Sequence, residues 1–160
     1  MKKLHLISLI ALILFSTSYA NQGEIFQPTD AIASTVENQL EDGRWELVMF
    51  WATYCGLCKD DFKKLQEFMD DNPDLDFTLV GVVVDGVEQK AKTEALIEKY
   101  DLNYAHILTD FDTANEFYTS KANVQLIGTP SYLLYDKENK VAGANPNAID
   151  IEALDLFIER

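Results

Sequence analysis

The sequence predicts a single α/β domain with a mixed β-sheet flanked by helices, and three observations carry that reading. First, WELVMFWA (45–52) and FTLVGVVVD (77–85) are near-continuous apolar runs of strand length, as expected of strands buried on both faces. Second, the stretch between them has a helical period, and strand, helix, strand in that order implies a parallel pair joined by a right-handed crossover. Third, SYLLYD (131–136) and KVAGA (140–144) flank KEN, a hairpin turn that adds antiparallel strands.

Along the chain, the first expected element is a helix over 29–41, where Ile32, Val36 and Leu40 recur at four-residue spacing and Gly43 follows as a stop. The strand at 45–52 comes next, then a helix from about Gly56 to Asp71 ended by DNP. After the strand at 77–85, Thr93, Leu96, Ile97 and Tyr100 share one helical face. AHIL (105–108) is a short strand, and DTANEFYTSK (112–121) is a helix capped by Asp112. Beyond the hairpin, Ile151, Leu154, Phe157 and Ile158 mark a closing helix. No repeat, low-complexity tract or linker interrupts this order, so one compact domain is expected.

The first twenty residues read as a leader to be removed. Lys2 and Lys3 precede an apolar block from Leu4 to Phe15, and Ser18 and Ala20 occupy the minus-three and minus-one positions for cleavage before Asn21. The block is shorter than the about 20 residues that a membrane-spanning helix needs, which argues against an uncleaved anchor. Residues 1–20 are therefore expected to be a signal peptide and residues 21–160 an exported domain, long enough for a real core. The expected location is the periplasm.

The chain carries 13 Lys and Arg against 27 Asp and Glu, a net charge of −14, and removal of Lys2 and Lys3 makes it more acidic still. Such a surface repels nucleic acid and anionic membranes, so neither is expected as a partner.

The only two cysteines, Cys55 and Cys58, stand two residues apart in WATYCGLCKDD. They could be half of a metal site, a structural staple or a redox pair. A staple is a poor reading, because a disulfide closing so short a loop removes little chain entropy. On a helical wheel Cys58, Phe62, Leu65 and Met69 form one narrow stripe, so Cys58 points toward the core. Cys55 lies at the helix's amino-terminal end, where unpaired N–H groups and the dipole stabilise a thiolate. One thiol is thus activated at the surface and the other sheltered behind it. That asymmetry suits attack on a substrate disulfide followed by resolution. A C-x-x-C that opens a helix after a buried strand is a far stronger signal than the motif alone.

Asp61 is the second informative residue. It lands inside the apolar sector one turn beyond Cys58, while Lys59, Asp60, Lys63, Lys64 and Glu67 take the opposite face. A carboxylate at the edge of a core is costly unless paired, and desolvation favours its neutral form. Asp61 is thus either a proton acceptor and donor for Cys58 or a carboxylate that bends to solvent.

FWATYCGLCK followed by GTPSYLLYDKENKV resembles the thioredoxin superfamily, and within it the TlpA-like branch of exported thiol-disulfide oxidoreductases. The resemblance covers roughly residues 25 to 160. It implies a thioredoxin-like three-layer fold. The long interval between Asp85 and Pro130 accommodates an extra helix and short strand before the cis-proline strand, as in that branch. Asp61 matches the acid that the branch carries three residues after its second cysteine. Residue by residue, the resemblance makes Cys55 the attacking thiol and Cys58 the resolving one, the two forming a redox-active disulfide. Pro130 matches the family's cis-proline, Thr129 the residue whose backbone pairs with the incoming substrate chain, and Trp51 a cover over the site, or else core packing. Two positions depart from the pattern. Leu57 stands where proline is usual, and Met49 stands where plain thioredoxins bury an acid, which shifts any proton-transfer duty toward Asp61.

The activity implied is that of a periplasmic reductase of protein disulfides that uses no cofactor and acts as a monomer. Its partners would be exported proteins with disulfides, apocytochrome c among them, and a membrane thiol reductase as electron donor. A reducing direction is also expected from the charges. No histidine lies between the cysteines, and Asp60 and Asp61 oppose the thiolate stabilisation that a strong oxidant needs. The alternatives are a disulfide-forming oxidant and a thioredoxin-fold copper or metal chaperone binding through the same cysteines. The second has few ligands to draw on, since His106 is the only histidine beyond the leader and sits in the packed stretch YAHILTD. A peroxidase of the related peroxiredoxin type would want a threonine at position 52, where the chain has Ala52.

Overall fold

Apolar strand-length runs bury both faces, so the strands they form collect at the centre of a sheet with helices on either side. The structure is a computed structural model that describes residues 23–26 and 32–158; the expected leader over 1–20 lies outside the described residues. Its elements are β1 (Ile25–Phe26), α1 (Ile32–Glu37), β2 (Trp45–Trp51), α2 (Gly56–Asp71), β3 (Phe77–Val83), a 3-10 turn (Val87–Gln89), α3 (Lys90–Tyr100), β4 (Ala105–Leu108), α4 (Phe111–Ala122), β5 (Ser131–Tyr135), β6 (Val141–Asn145) and α5 (Ile151–Ile158).

The sheet runs in the order β1-β4-β3-β2-β5-β6. β1, β4, β3 and β2 are mutually parallel, whereas β5 pairs antiparallel with both β2 and β6. β2 and β3, the two longest apolar runs, lie side by side in the middle, as their composition demands. The hairpin between β5 and β6 is set by Asp136, whose carboxylate accepts the N–H groups of Glu138 and Lys140. Asn139 takes the left-handed conformation that closes the turn.

Alternation along β2 sorts the helices into two outer layers. Trp51 meets Phe62 of α2, Phe62 meets Tyr100 of α3, and Trp45 meets Phe157 of α5, which puts these helices over one face. On the other face Phe50 packs against Phe117 and Tyr118 of α4, and α1 lies against α4 with Lys121 paired to Glu37. The three-layer arrangement expected from the sequence is present, with α3 and β4 forming the extra helix and strand before β5.

Several local expectations are corrected. The first helix is described only over Ile32–Glu37, and the chain beyond it tightens into turns with Gln39 and Leu40 donating to carbonyls three residues back. Leu40 still packs on the core, which explains why its apolar spacing reads as helical. The cap of α4 is Asp110, not Asp112. Asp110 accepts the Thr113 N–H at 2.8 Å, the third helical position that a capping side chain reaches. Strand β1 has no counterpart in the sequence reading, because two residues carry no period. On α2 the buried set is Cys58, Asp61, Phe62, Leu65 and Phe68, with Met69 at the border.

Candidate active site

Both cysteines sit where β2 hands over to α2. The turn between them is closed by the Cys55 N–H donating to the Ala52 carbonyl at 3.0 Å, and Cys55 is the amino-terminal cap of the helix. Cys55 and Cys58 are joined in a disulfide with an S–S distance of 2.07 Å. The Cys58 N–H donates to Cys55 Sγ over 3.1 Å. Cys55 keeps 6% of its surface exposed and Cys58 none. A free helix-end N–H therefore points at the outer sulfur, and the dipole's positive end adds to it. Both act to stabilise a thiolate at Cys55 once the disulfide opens.

The turn is anchored from the neighbouring strand. Asp85, just past the end of β3, accepts the Thr53 N–H at 3.1 Å and also the Thr53 hydroxyl through the same oxygen. Val84 donates its N–H to the Trp51 carbonyl, so the two parallel strands stay locked up to the first cysteine.

Asp61 is buried, with 1% of its surface exposed, and it is fully partnered. Its Oδ1 accepts from Lys64 Nζ at 2.8 Å, and its Oδ2 accepts from the Tyr132 hydroxyl at 2.7 Å and the Ile149 N–H at 2.9 Å. Lys64 thus reaches round from the charged face to pair with it, and the carboxylate does not bend out to solvent. Burial, and then the Asp61 carboxylate beside it, push the Tyr132 phenol far above its ordinary range, so Tyr132 stays protonated as the donor.

The Thr129–Pro130 peptide bond is cis, as the resemblance implies. β2 and β5 pair as far as Phe50 opposite Ser131, so the cis bond just before β5 lies at the end of β2 that leads into the cysteine turn. The cis-proline loop therefore borders the cysteine turn. Pro130 is buried and Thr129 half-buried. Around this loop and turn, Tyr54, Leu57 and Ile127 stand out into solvent, each more than half exposed.

Trp51 belongs to the core. It is fully buried, stacked edge-on against Phe62 at 5.1 Å and against His106 at 5.7 Å, so it presents no surface to a substrate. The reading of Trp51 as a cover that touches substrate gives way to packing: a strand residue pointing under α2 is roofed by that helix.

His106 is likewise enclosed, 4.5 Å from the Tyr104 ring, with Nε2 3.4 Å from the Leu102 carbonyl. A carbonyl only accepts, so Nε2 carries the proton of the neutral ring. Burial pushes His106 down to about 4. Among the described residues no group of three or more His, Cys, Asp and Glu side chains is placed to hold a metal ion.

A sequence model described as the AhpC/TSA family matches residues 23–144. The chain belongs to the AhpC/TSA family. No curated protein matches the sequence. Among solved structures, the AhpC/TSA chain is similar to the thioredoxin domain of a thiol-disulfide oxidoreductase from Bacteroides vulgatus, at 24% identity, covering 73% of this chain and 81% of that one with a TM-score of 0.58. It is similar to StoA from Bacillus subtilis at 22% identity, with 73% and 84% covered and a TM-score of 0.55. A thioredoxin-family thiol:disulfide interchange protein from Chlorobium tepidum shares 18% identity over 74% and 79%, with a TM-score of 0.62. These likenesses establish a thioredoxin-like fold.

In this AhpC/TSA domain the cysteine pair and the apolar-face position of Asp61 were legible in the sequence, and the cis-proline came from the resemblance, but the residues that hold them were missed. Tyr132 was legible only as an apolar strand residue, although its place two positions after Pro130 puts it on the face covered by α2. Asp85 carried a signal, an acid ending a valine run, but nothing pointed from it to Thr53. The Ile149 N–H is backbone and left no signal.

Proposed function

We propose that this protein is an exported thiol-disulfide oxidoreductase that reduces disulfides of exported proteins. The observation that carries the reading is the Cys58 N–H aimed at Cys55 Sγ at a helix end, with a cis-Pro130 loop alongside. In the reduced state the Cys55 thiolate attacks a substrate disulfide, forming a mixed disulfide and releasing one substrate thiolate, which takes a proton. Cys58 then gives up its proton and attacks Cys55 Sγ. The second substrate thiolate leaves, the Cys55–Cys58 bond reforms, and two electrons and two protons have passed to the substrate.

Asp61, one helical turn beyond Cys58, is the group that takes the Cys58 proton in this scheme. Thr129 and Pro130 border the Cys55 turn and offer backbone to an extended substrate chain, and the exposed Tyr54, Leu57 and Ile127 favour an apolar one. Export rests on the leader-like residues 1–20. No helix among the described residues is long and apolar enough to cross a membrane. An exported reductase must be re-reduced, which calls for a membrane thiol reductase as donor. Cysteines of an apocytochrome c are one substrate class that fits.

Equilibration of the purified protein with glutathione tests the direction of flow. A reductase should show a potential near the thioredoxin end of the range, about −270 mV, whereas a value above about −150 mV would make the protein an oxidant. Absence of any exchange with a disulfide substrate would overturn the redox reading altogether.

A further inference from the structure

The Asp61 carboxylate is held by groups from three separate parts of the fold. Lys64 reaches it from its own helix, Tyr132 from β5, and the Ile149 N–H from the segment before α5. The two that share Oδ2 come from outside α2. Tyr132 is fully enclosed beneath that helix, with about 1% of its surface exposed, and it has a single rotatable proton to give. It also stands two residues beyond the cis-Thr129–Pro130 bond, on the strand that carries the cis-proline loop. Asp61 in turn lies at i+3 from Cys58, on the same helical face.

We propose that Tyr132 is a positioning residue for thiol-disulfide exchange, its hydroxyl fixing the Asp61 carboxylate so that the carboxylate serves Cys58. The proposal rests on the exchange reaction argued above. In the resolving step the Cys58 S–H bond breaks, its proton passes to Asp61, and the sulfur's electron pair forms the bond to Cys55 while the substrate thiolate departs. An Asp61 released from Tyr132 would still be hydrogen-bonded by Lys64 and Ile149 but free to rotate away from the sulfur. The titratable groups hydrogen-bonded to Asp61 are Lys64 from α2 and Tyr132 from β5, and Cys58 precedes it by one turn on the same buried face. Tyr104 acts on Tyr132 from the β4 side, and Asp150 follows Ile149. Of these, Tyr132 joins the carboxylate directly to the cis-proline strand.

The test follows resolution of a preformed mixed disulfide between Cys55 and a small aromatic thiol, by stopped flow between pH 5 and 9, in the full domain. The parent protein must first resolve it; failure there refutes the exchange reaction and not the role of Tyr132. Tyr132→Phe, which removes only the hydroxyl, should slow resolution about 10-fold at neutral pH and move the rising limb of the pH profile by about one unit. In an Asp61→Asn background the same substitution should have no further effect, because a residue acting through Asp61 cannot act without it. Tyr132→Phe with a lowered melting temperature but an unchanged pH profile would reduce Tyr132 to a structural contact. Additive rate losses in the double variant would likewise overturn the proposal. Alkylation of Cys55, which does not depend on Asp61 in this scheme, should be unaffected by Tyr132→Phe and reports that the cysteine turn is intact.

Discussion

Thr53 and Asp85, far apart in sequence, are bound twice to each other, with the backbone N–H and the hydroxyl of Thr53 both donating to one Asp85 oxygen. The pair fastens the turn that carries Cys55 to the end of β3. Asp85→Ala should therefore cost about 1–3 kcal/mol in urea unfolding, because it leaves a partly buried N–H and hydroxyl without an acceptor. Asp85→Asn keeps an acceptor oxygen and should restore most of that loss. Equal stability of the alanine variant and the parent would show that the turn holds itself.

The two thiols should differ in reactivity once reduced. Cys55 retains exposed surface and receives the Cys58 N–H, while Cys58 is sealed. Iodoacetamide at about pH 6 should modify Cys55 well before Cys58, as read by peptide mass mapping, since the thiolate is the nucleophile. Cys58→Ala should accumulate a mixed disulfide through Cys55. Preferential labelling of Cys58 contradicts the assignment of roles.

Gly81 lies across the sheet from His106, and a methyl group there has nowhere to go. A Cβ would fall 2.9 Å from both His106 Cε1 and Trp51 Nε1 and closer still to His106 Nδ1. Gly81→Ala should destabilise the fold by about 1–3 kcal/mol through overpacking under the active-site helix. Thermal denaturation measures it, and an unchanged melting temperature would mean that the His106 ring yields readily.

Stability should respond to pH from both sides. His106 is pushed down from 6.5 to about 4 by burial, so between those values the unfolded chain binds a proton that the folded one refuses. Its contribution is complete above about pH 6.5 and is lost as pH falls toward 4. Glu46 behaves in the opposite sense. It is fully buried in β2, and desolvation raises it from 4.5 to about 7, with the Glu41 N–H partly offsetting the effect. Its stabilising neutral form is complete below about pH 4.5 and lost as pH rises through 7. Glu46→Gln should then stabilise the protein by up to about 3 kcal/mol at pH 8 and change little at pH 4. Equal effects of the substitution at the two pH values would argue against an ionised, buried Glu46.

What could be read in the sequence was what has a period or a spacing. β2, β3 and α2 declared themselves because apolar runs and a stripe ending in Cys58 leave few other folds open. AHIL was legible as β4 for the same reason. Burial of Asp61 was visible on the wheel, but its partners were not, since Tyr132 and Ile149 lie about 70 and 90 residues away and meet it only through the sheet order. Trp51 stayed open between cover and core because an aromatic beside a cysteine turn looks the same in sequence whether it faces solvent or the underside of a helix, and its burial decides for the core. In sequence Asp112 reads as the cap of α4 because it opens the apolar period, whereas the helix begins one residue before it, at Phe111, and Asp110 accepts the Thr113 N–H.

The bond from the Ile149 N–H to Asp61 has a consequence for how the site tolerates change. A backbone donor is supplied by every amino acid but one, so position 149 can drift through most side chains of suitable bulk without loosening the carboxylate. Only proline deletes the donor outright. A contact of this kind leaves almost no imprint on which residues are permitted, and a survey of tolerated substitutions would rank Ile149 as ordinary core while it grips the side chain beside Cys58.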